Sequence, residues 1–266
     1  MHCVRVFQAL SACILVTLSG PAACVAEATG GWATDVARLS PEFTYEAFAG
    51  ADTSAPGWAA YGGLTAALFG DIRENGWRLR STASYGQYRY SRTYWDGTTK
   101  QVVRLELLGH RRTTDLLIGY QHSHGPVVVK AYAGLVEDWK LDVAEEGSPI
   151  AVDDENGYQG RRYGAKLALE TWTRLADWGF VQADTSRSEP RNSHASRLRL
   201  GYRLGTNWST GLEAAAYGNL VPEQGRAGAF VRLEWDTGEV SLSAGAGLDR
   251  QRVDDGYGTL NAMLRF

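Results

Sequence analysis

From Glu42 onward, apolar and polar residues alternate with a period of two, in segments separated by turn residues. In GWAAYGGLTAALFGD, Trp58, Ala60, Leu64, Ala66 and Leu68 share one face of an extended strand. In WRLRSTASYGQYRY, after an Asn75-Gly76 turn, Trp77, Leu79, Ala83 and Tyr85 face one way and Arg78, Arg80, Thr82, Ser84 and Tyr88 the other. EFTYEAFAGAD sets Phe43, Tyr45, Ala47 and Ala49 against Thr44, Glu46 and Phe48. The same reading continues through TDLLIGYQHS, VVVKAYAGLVEDW, RRYGAKLALETW, WGFVQADTS, SRLRLGYRLG, WSTGLEAAAYG, RAGAFVRLEW, EVSLSAGAGLD and YGTLNAMLRF. The pattern predicts about twelve strands and no sustained amphipathic helix.

Each strand has one face suited to hydrocarbon and one suited to water. Leu198, Leu200, Tyr202 and Leu204 oppose Arg197, Arg199 and Arg203, and Val231, Leu233 and Trp235 oppose Arg232 and Glu234. The connections are also asymmetric. Those after even strands are short (DIRENG, HSHGP, LADW, GTN, DTGE), whereas most after odd strands are longer or more polar, among them YSRTYWDGTTKQ, KLDVAEEGSPIAVDDENGYQG and RSEPRNSHA. Outer-membrane barrels have this asymmetry, with tight turns on the periplasmic side and extended loops outside. A soluble β-sandwich also alternates, but nothing obliges it to gather its long loops at one end. The expected fold is therefore all-β, an antiparallel transmembrane β-barrel over residues 42–266. In its closing strand Leu260, Leu264 and Phe266 share the apolar face and read as a membrane-insertion signal.

Upstream of the alternation, residues 1–26 combine Arg5, an apolar core from about Val6 to Leu18 and the small residues Cys24, Val25 and Ala26, the layout of a cleaved signal peptide. Residues 27–41 read as a polar leader. Cys3, Cys13 and Cys24 all fall in the signal, so the mature chain would carry neither disulfides nor cysteine-ligated metal. With 27 basic against 30 acidic residues the charge is nearly balanced, which argues against a nucleic-acid partner.

The run EAFAGADTS through GGLTAALFGDIRENGWRLRSTASYGQYRY, with LLIGYQ, VKAYAGLVEDWKLD and YGAKLALETW, resembles the bacterial cellulose biosynthesis protein BcsS family. LGYRLG, EAAAYGN, AGAFVRL and SLSAGAG fit it too, so the resemblance runs from about Phe43 to Phe266. It implies a non-enzymatic outer-membrane accessory in cellulose biosynthesis or export in a Gram-negative bacterium. Its partners would be outer-membrane lipid and either cellulose itself or other cellulose-secretion components. The resemblance carries over no catalytic or binding residue and no cofactor.

The residues themselves suggest several kinds of chemistry. Charges cannot face hydrocarbon cheaply, so Arg78, Arg80, Arg197, Arg199, Arg203 and Arg232, with Lys130, Lys166, Glu46, Glu170, Glu213 and Glu234, are expected to line the lumen. There they would either pair across strands and fill the barrel or border a polar passage. Tyr88, Tyr90, Tyr94 and Trp95 climb toward an outside loop, where exposed rings would stack on glucan faces or on one another. Trp77, Trp178, Trp208 and Trp235 at strand ends read as interfacial girdle residues. The acidic stretch from Asp142 to Glu155 reads as a solvated loop rather than a calcium site, because its spacing matches no EF-hand. His122, His124 and His194 are the candidates for a lipid hydrolase, but no G-x-S-x-G elbow accompanies them. An outer-membrane channel, a lipid hydrolase and a soluble periplasmic β-sandwich binding protein are the competing readings.

Overall fold

A computed structural model of the chain describes residues 42–54, 57–96, 100–144, 159–218, 224–248 and 256–266. The expected signal peptide and polar leader, and most of the acidic stretch, lie outside these residues. Twelve strands follow in chain order: β1 (Tyr45–Ser54), β2 (Gly57–Ala67), β3 (Gly76–Asp96), β4 (Gln101–His124), β5 (Val127–Ala144), β6 (Gly160–Ala176), β7 (Gly179–Ser188), β8 (Ser193–Arg203), β9 (Trp208–Gly218), β10 (Gln224–Trp235), β11 (Gly238–Leu248) and β12 (Gly256–Arg265). Each pairs antiparallel with its sequence neighbours, and β1 pairs with β12, so the sheet closes into a barrel with no free edge along the seam. No helix among the described residues is long and apolar enough to cross a membrane.

Outward positions carry the apolar residues. Leu116, Leu135, Leu167, Leu212 and Leu242 are all exposed, Leu135 at 73%, an apolar belt that a soluble surface would not sustain. Rings edge this belt at the end where β1 begins and the short connections 125–126, 177–178, 204–207 and 236–237 lie. There Trp77 meets Tyr120 with centroids 5.4 Å apart, and Trp178 meets Tyr202 at 6.0 Å. Trp208 and Trp235 are exposed at the same end. At the opposite, long-loop end Trp58 packs edge-on against Tyr85 at 5.9 Å.

Three local expectations are corrected. YSRTYWDGTTKQ is not a long loop, because β3 runs to Asp96 and β4 starts at Gln101, well before TDLLIGYQHS. The alternation in VVRLELLGH simply continues the ladder, and β3 pairs with β4 from Gly76 through Asp96 while β2 ends opposite Tyr88. At about 3.4 Å per residue and a tilt of about 40°, β2 already spans a bilayer's apolar core, so β3 and β4 rise beyond it as a wall. Phe43, expected on the outward face, instead lies under the barrel with Ala67 and Ile72. Asp142, expected in the acidic loop, sits on β5, buried and ion-paired with Lys140 at 2.7 Å.

Glycine lets large rings lie flat against the inner wall. Phe180 is paired directly with Gly201, where a Cβ would meet the Phe180 ring at 2.1 Å. Tyr88 covers Gly109 in the same way, with a Cβ clash at 2.3 Å. The pairing fills space a bare backbone would leave and shields the ladder beneath.

Candidate functional site: a charged lumen

A barrel of eight strands is just wide enough to be filled by side chains, while 16 to 18 strands leave an aqueous channel. Twelve strands fall between these limits, so the length and pairing of inward side chains decide whether a passage exists. Here the inward positions carry long charged groups, and they meet across the lumen.

Near the middle, Arg80 on β3 forms a two-pronged ion pair with Glu170 on β6. Its guanidinium also donates to Tyr132 Oη at 2.7 Å and to Thr65 Oγ1 at 3.2 Å, and lies 3.8 Å from the Tyr132 ring centroid. Across the lumen, Glu213 on β9 gathers three other strands. It accepts from Arg199 Nε at 2.7 Å, from Ser243 Oγ at 3.3 Å and from Tyr257 Oη at 3.1 Å, with Arg197 Nη1 at 3.8 Å. Arg226 on β10 reaches Asp52 on β1 at 2.6 Å, and Thr259 on β12 donates to the same carboxylate at 2.9 Å, so this cluster ties the closing seam together. The guanidinium of Arg226 is held between the rings of Tyr217 and Tyr257 at 4.9 and 4.4 Å.

Both ends are capped. At the long-loop end the β7–β8 connection folds inward as a 3-10 turn at Pro190–Asn192. Arg191, in the left-handed region at φ 58°, places its Nε 3.2 Å from Asp138, which also pairs with Arg111. Its Nη2 donates to the Gly160 carbonyl at 3.3 Å. A strained non-glycine backbone persists only where its surroundings hold it, and these contacts do so. Lys166 joins Asp115 at 2.5 Å just beneath. At the short-turn end, residues 68–75 tuck under the mouth. Arg78, fully buried, donates to the Asp71, Ile72 and Glu74 carbonyls. The Asp71 carboxylate accepts from the backbone NH of Phe43 at 3.1 Å and from Arg73 Nη2 at 2.6 Å. Burial pushes the Asp71 carboxyl up, but the hydrogen bonds from Arg73 and Phe43 outweigh it and hold the group below its ordinary value of 3.8.

Two cavities inside the barrel are small, whereas a third, of about 420 Å³, is bordered by the inward Asp184, Arg197 and Arg226 and by the outward Leu169, Leu198 and Leu248. One lumen cavity, beside Lys130, Glu170, Asp184 and Trp172, measures about 10 Å³, and another, beside Arg111, Asp138 and Lys166, is also about 10 Å³. Each has room for roughly one water.

Glu46, Arg78, Arg80, Lys130, Lys166, Glu170, Arg197, Arg199, Glu213 and Arg232 are all buried inside the barrel. Arg203 and Glu234 stand at the short-turn rim, partly exposed. The rings of Tyr88 and Tyr90 are not an exposed platform for a glucan: they point inward, 2% and 9% exposed, and stack on each other at 5.5 Å, the second of the two expected arrangements, within a cluster that includes Leu105 and Leu107. The side chains of Tyr94 and Trp95 lie outside the described residues. Leu260, Leu264 and Phe266 are exposed on the outer face of β12 and beyond its end. Asp52, Arg111, Asp115, Asp138 and Asp184 escaped the sequence reading although the same alternation points them inward; Arg191 carried no periodic signal, since it lies in a turn.

The family model described as cellulose biosynthesis protein BcsS matches residues 47–266. No curated protein matches the chain. Among solved structures, the KdgM porin is similar at 9% identity and a TM-score of 0.50, covering 83% of this chain and 99% of the porin. The transport unit of the autotransporter AIDA-I from Escherichia coli has 8% identity and a TM-score of 0.49, covering 94% of this chain and 98% of that one.

Proposed function

Because the chain belongs to the cellulose biosynthesis protein BcsS family, we propose that it is a non-enzymatic outer-membrane accessory of cellulose production, exported behind a cleaved signal peptide. The family match over residues 47–266 carries this reading, and the filled lumen refines it. A glucan chain passing through the barrel would have to displace Arg80–Glu170 and the Glu213 cluster, leaving buried charges unpaired at a cost of several kcal/mol each. The barrel therefore works as an anchor and docking platform at the cell surface, and the wall built by β3 to β6 above the membrane is the part available to the polymer or to secretion components.

Deleting the gene from a cellulose-producing host and measuring cellulase-sensitive surface polymer tests this. Loss or mislocalisation of cellulose, restored by the full-length chain, is the expected result. Unchanged surface cellulose would sink the assignment.

A further inference from the structure

We propose that the outer wall carries a binding site for the phosphate groups of an outer-leaflet glycolipid, built by Arg112 on β4 and Arg161 on β6. The two positions lie in one directly paired row, Arg112 opposite Trp139 and Trp139 opposite Arg161. Both side chains are on the outside of the barrel and half exposed, at 50% and 53%. They share a single carboxylate: Arg112 Nη2 is 3.0 Å and Arg161 Nε 3.2 Å from Oε1 of Glu137. One acid cannot neutralise two guanidinium groups, so the trio keeps a net positive charge, and Glu137 holds both guanidinium groups beside each other. Preset guanidinium forks match phosphate oxygens in geometry as well as in charge.

The level of the cluster selects the ligand. From the girdle residue Tyr120, β4 rises roughly 20 Å to Arg112 at ~3.4 Å per residue and a tilt of about 40°, which crosses most of an outer-membrane apolar band of ~25 Å. Arg112 is paired with Tyr85 of the far girdle, and Tyr163, 68% exposed, lies one outward position below Arg161 and accepts a hydrogen bond from it at 3.4 Å. Aromatic residues mark the headgroup layer, so the arginines stand where lipid phosphates stand. An uncharged glucan has no group that calls for two cations. This inference needs only the barrel in its membrane and goes beyond the cellulose reading; it stands or falls separately.

The test is native mass spectrometry of the full chain folded in detergent, titrated with diphosphorylated lipid A, with its dephosphorylated form and with inorganic phosphate. Folding of each variant is checked by its heat-dependent gel shift. The phosphorylated lipid is expected to be retained at least tenfold better than the dephosphorylated one by the unmodified chain. R112Q/R161Q should lose that preference, while R104Q, on the wall above with Arg104 paired to Glu106 at 2.6 Å, should keep it. Equal retention by the folded double variant, or no preference for the phosphorylated lipid, would overturn the proposal. So would inorganic phosphate binding as tightly as the lipid, which would make this a free-anion site.

Discussion

Tyr45 and Phe266 close the barrel at its short-turn end: the Phe266 amide donates to the Tyr45 carbonyl at 3.0 Å, the Tyr45 amide returns to Phe266 at 2.9 Å, and the rings stack at 5.8 Å. A reciprocal backbone pair with stacked side chains holds two strands that are distant in sequence through both ladder and side-chain contact. Deleting Phe266 removes both bonds and the stack together. The expected result is loss of the boiled-versus-unboiled mobility shift and of outer-membrane recovery, whereas Phe266→Tyr should retain both.

Glu213 draws Arg199, Arg197, Ser243 and Tyr257 toward one carboxylate. Glu213→Ala takes from the buried Arg199 guanidinium the carboxylate it donates to, and breaking such a pair costs about 3–5 kcal/mol. Denaturant unfolding in detergent measures the loss. Glu106→Gln, which removes an exposed partner of Arg104, should change stability by less than about 1 kcal/mol.

The Asp71 clip has a pH signature. Because the folded carboxyl lies below its ordinary value of 3.8, its contribution is complete above that value and is lost as pH falls through the lowered folded value. The thermal midpoint of the unmodified chain should therefore fall below pH 3.8 by more than that of Asp71→Asn, which should be less stable at pH 7 and flatter with pH. Identical pH profiles for the two proteins would contradict the clip.

Gly201 has no room for a side chain under Phe180. Gly201→Val should cost about 1–3 kcal/mol by forcing the ring off the wall. Adding Phe180→Leu should recover part of the loss, and the two changes would then be non-additive in a double-mutant cycle.

The filled lumen predicts electrical silence. In planar bilayers the purified barrel should show no steady porin-like conductance, and liposomes containing it should not swell in small sugars. A stable open conductance would show that the capping contacts of Arg78 and Arg191 are not maintained.

The alternation and the uneven connections by themselves indicated about twelve strands, the barrel class and the side of the wall that most strand residues face, because side-chain direction in an extended chain is a local property with a period of two. Leu260, Leu264 and Phe266 on the outside and Arg78, Arg80 and Glu213 on the inside were already visible on that basis. Partner choice was not visible. Arg80 meets Glu170 and Arg226 meets Asp52 only because closure and strand stagger bring β3 opposite β6 and β10 near β1. The inward turn of Arg191, the plug around Asp71 and the packing of Tyr88 and Tyr90 against Leu105 and Leu107 also came from the tertiary structure. Each depends on the space left inside the closed barrel, and no stretch of sequence holds that quantity locally.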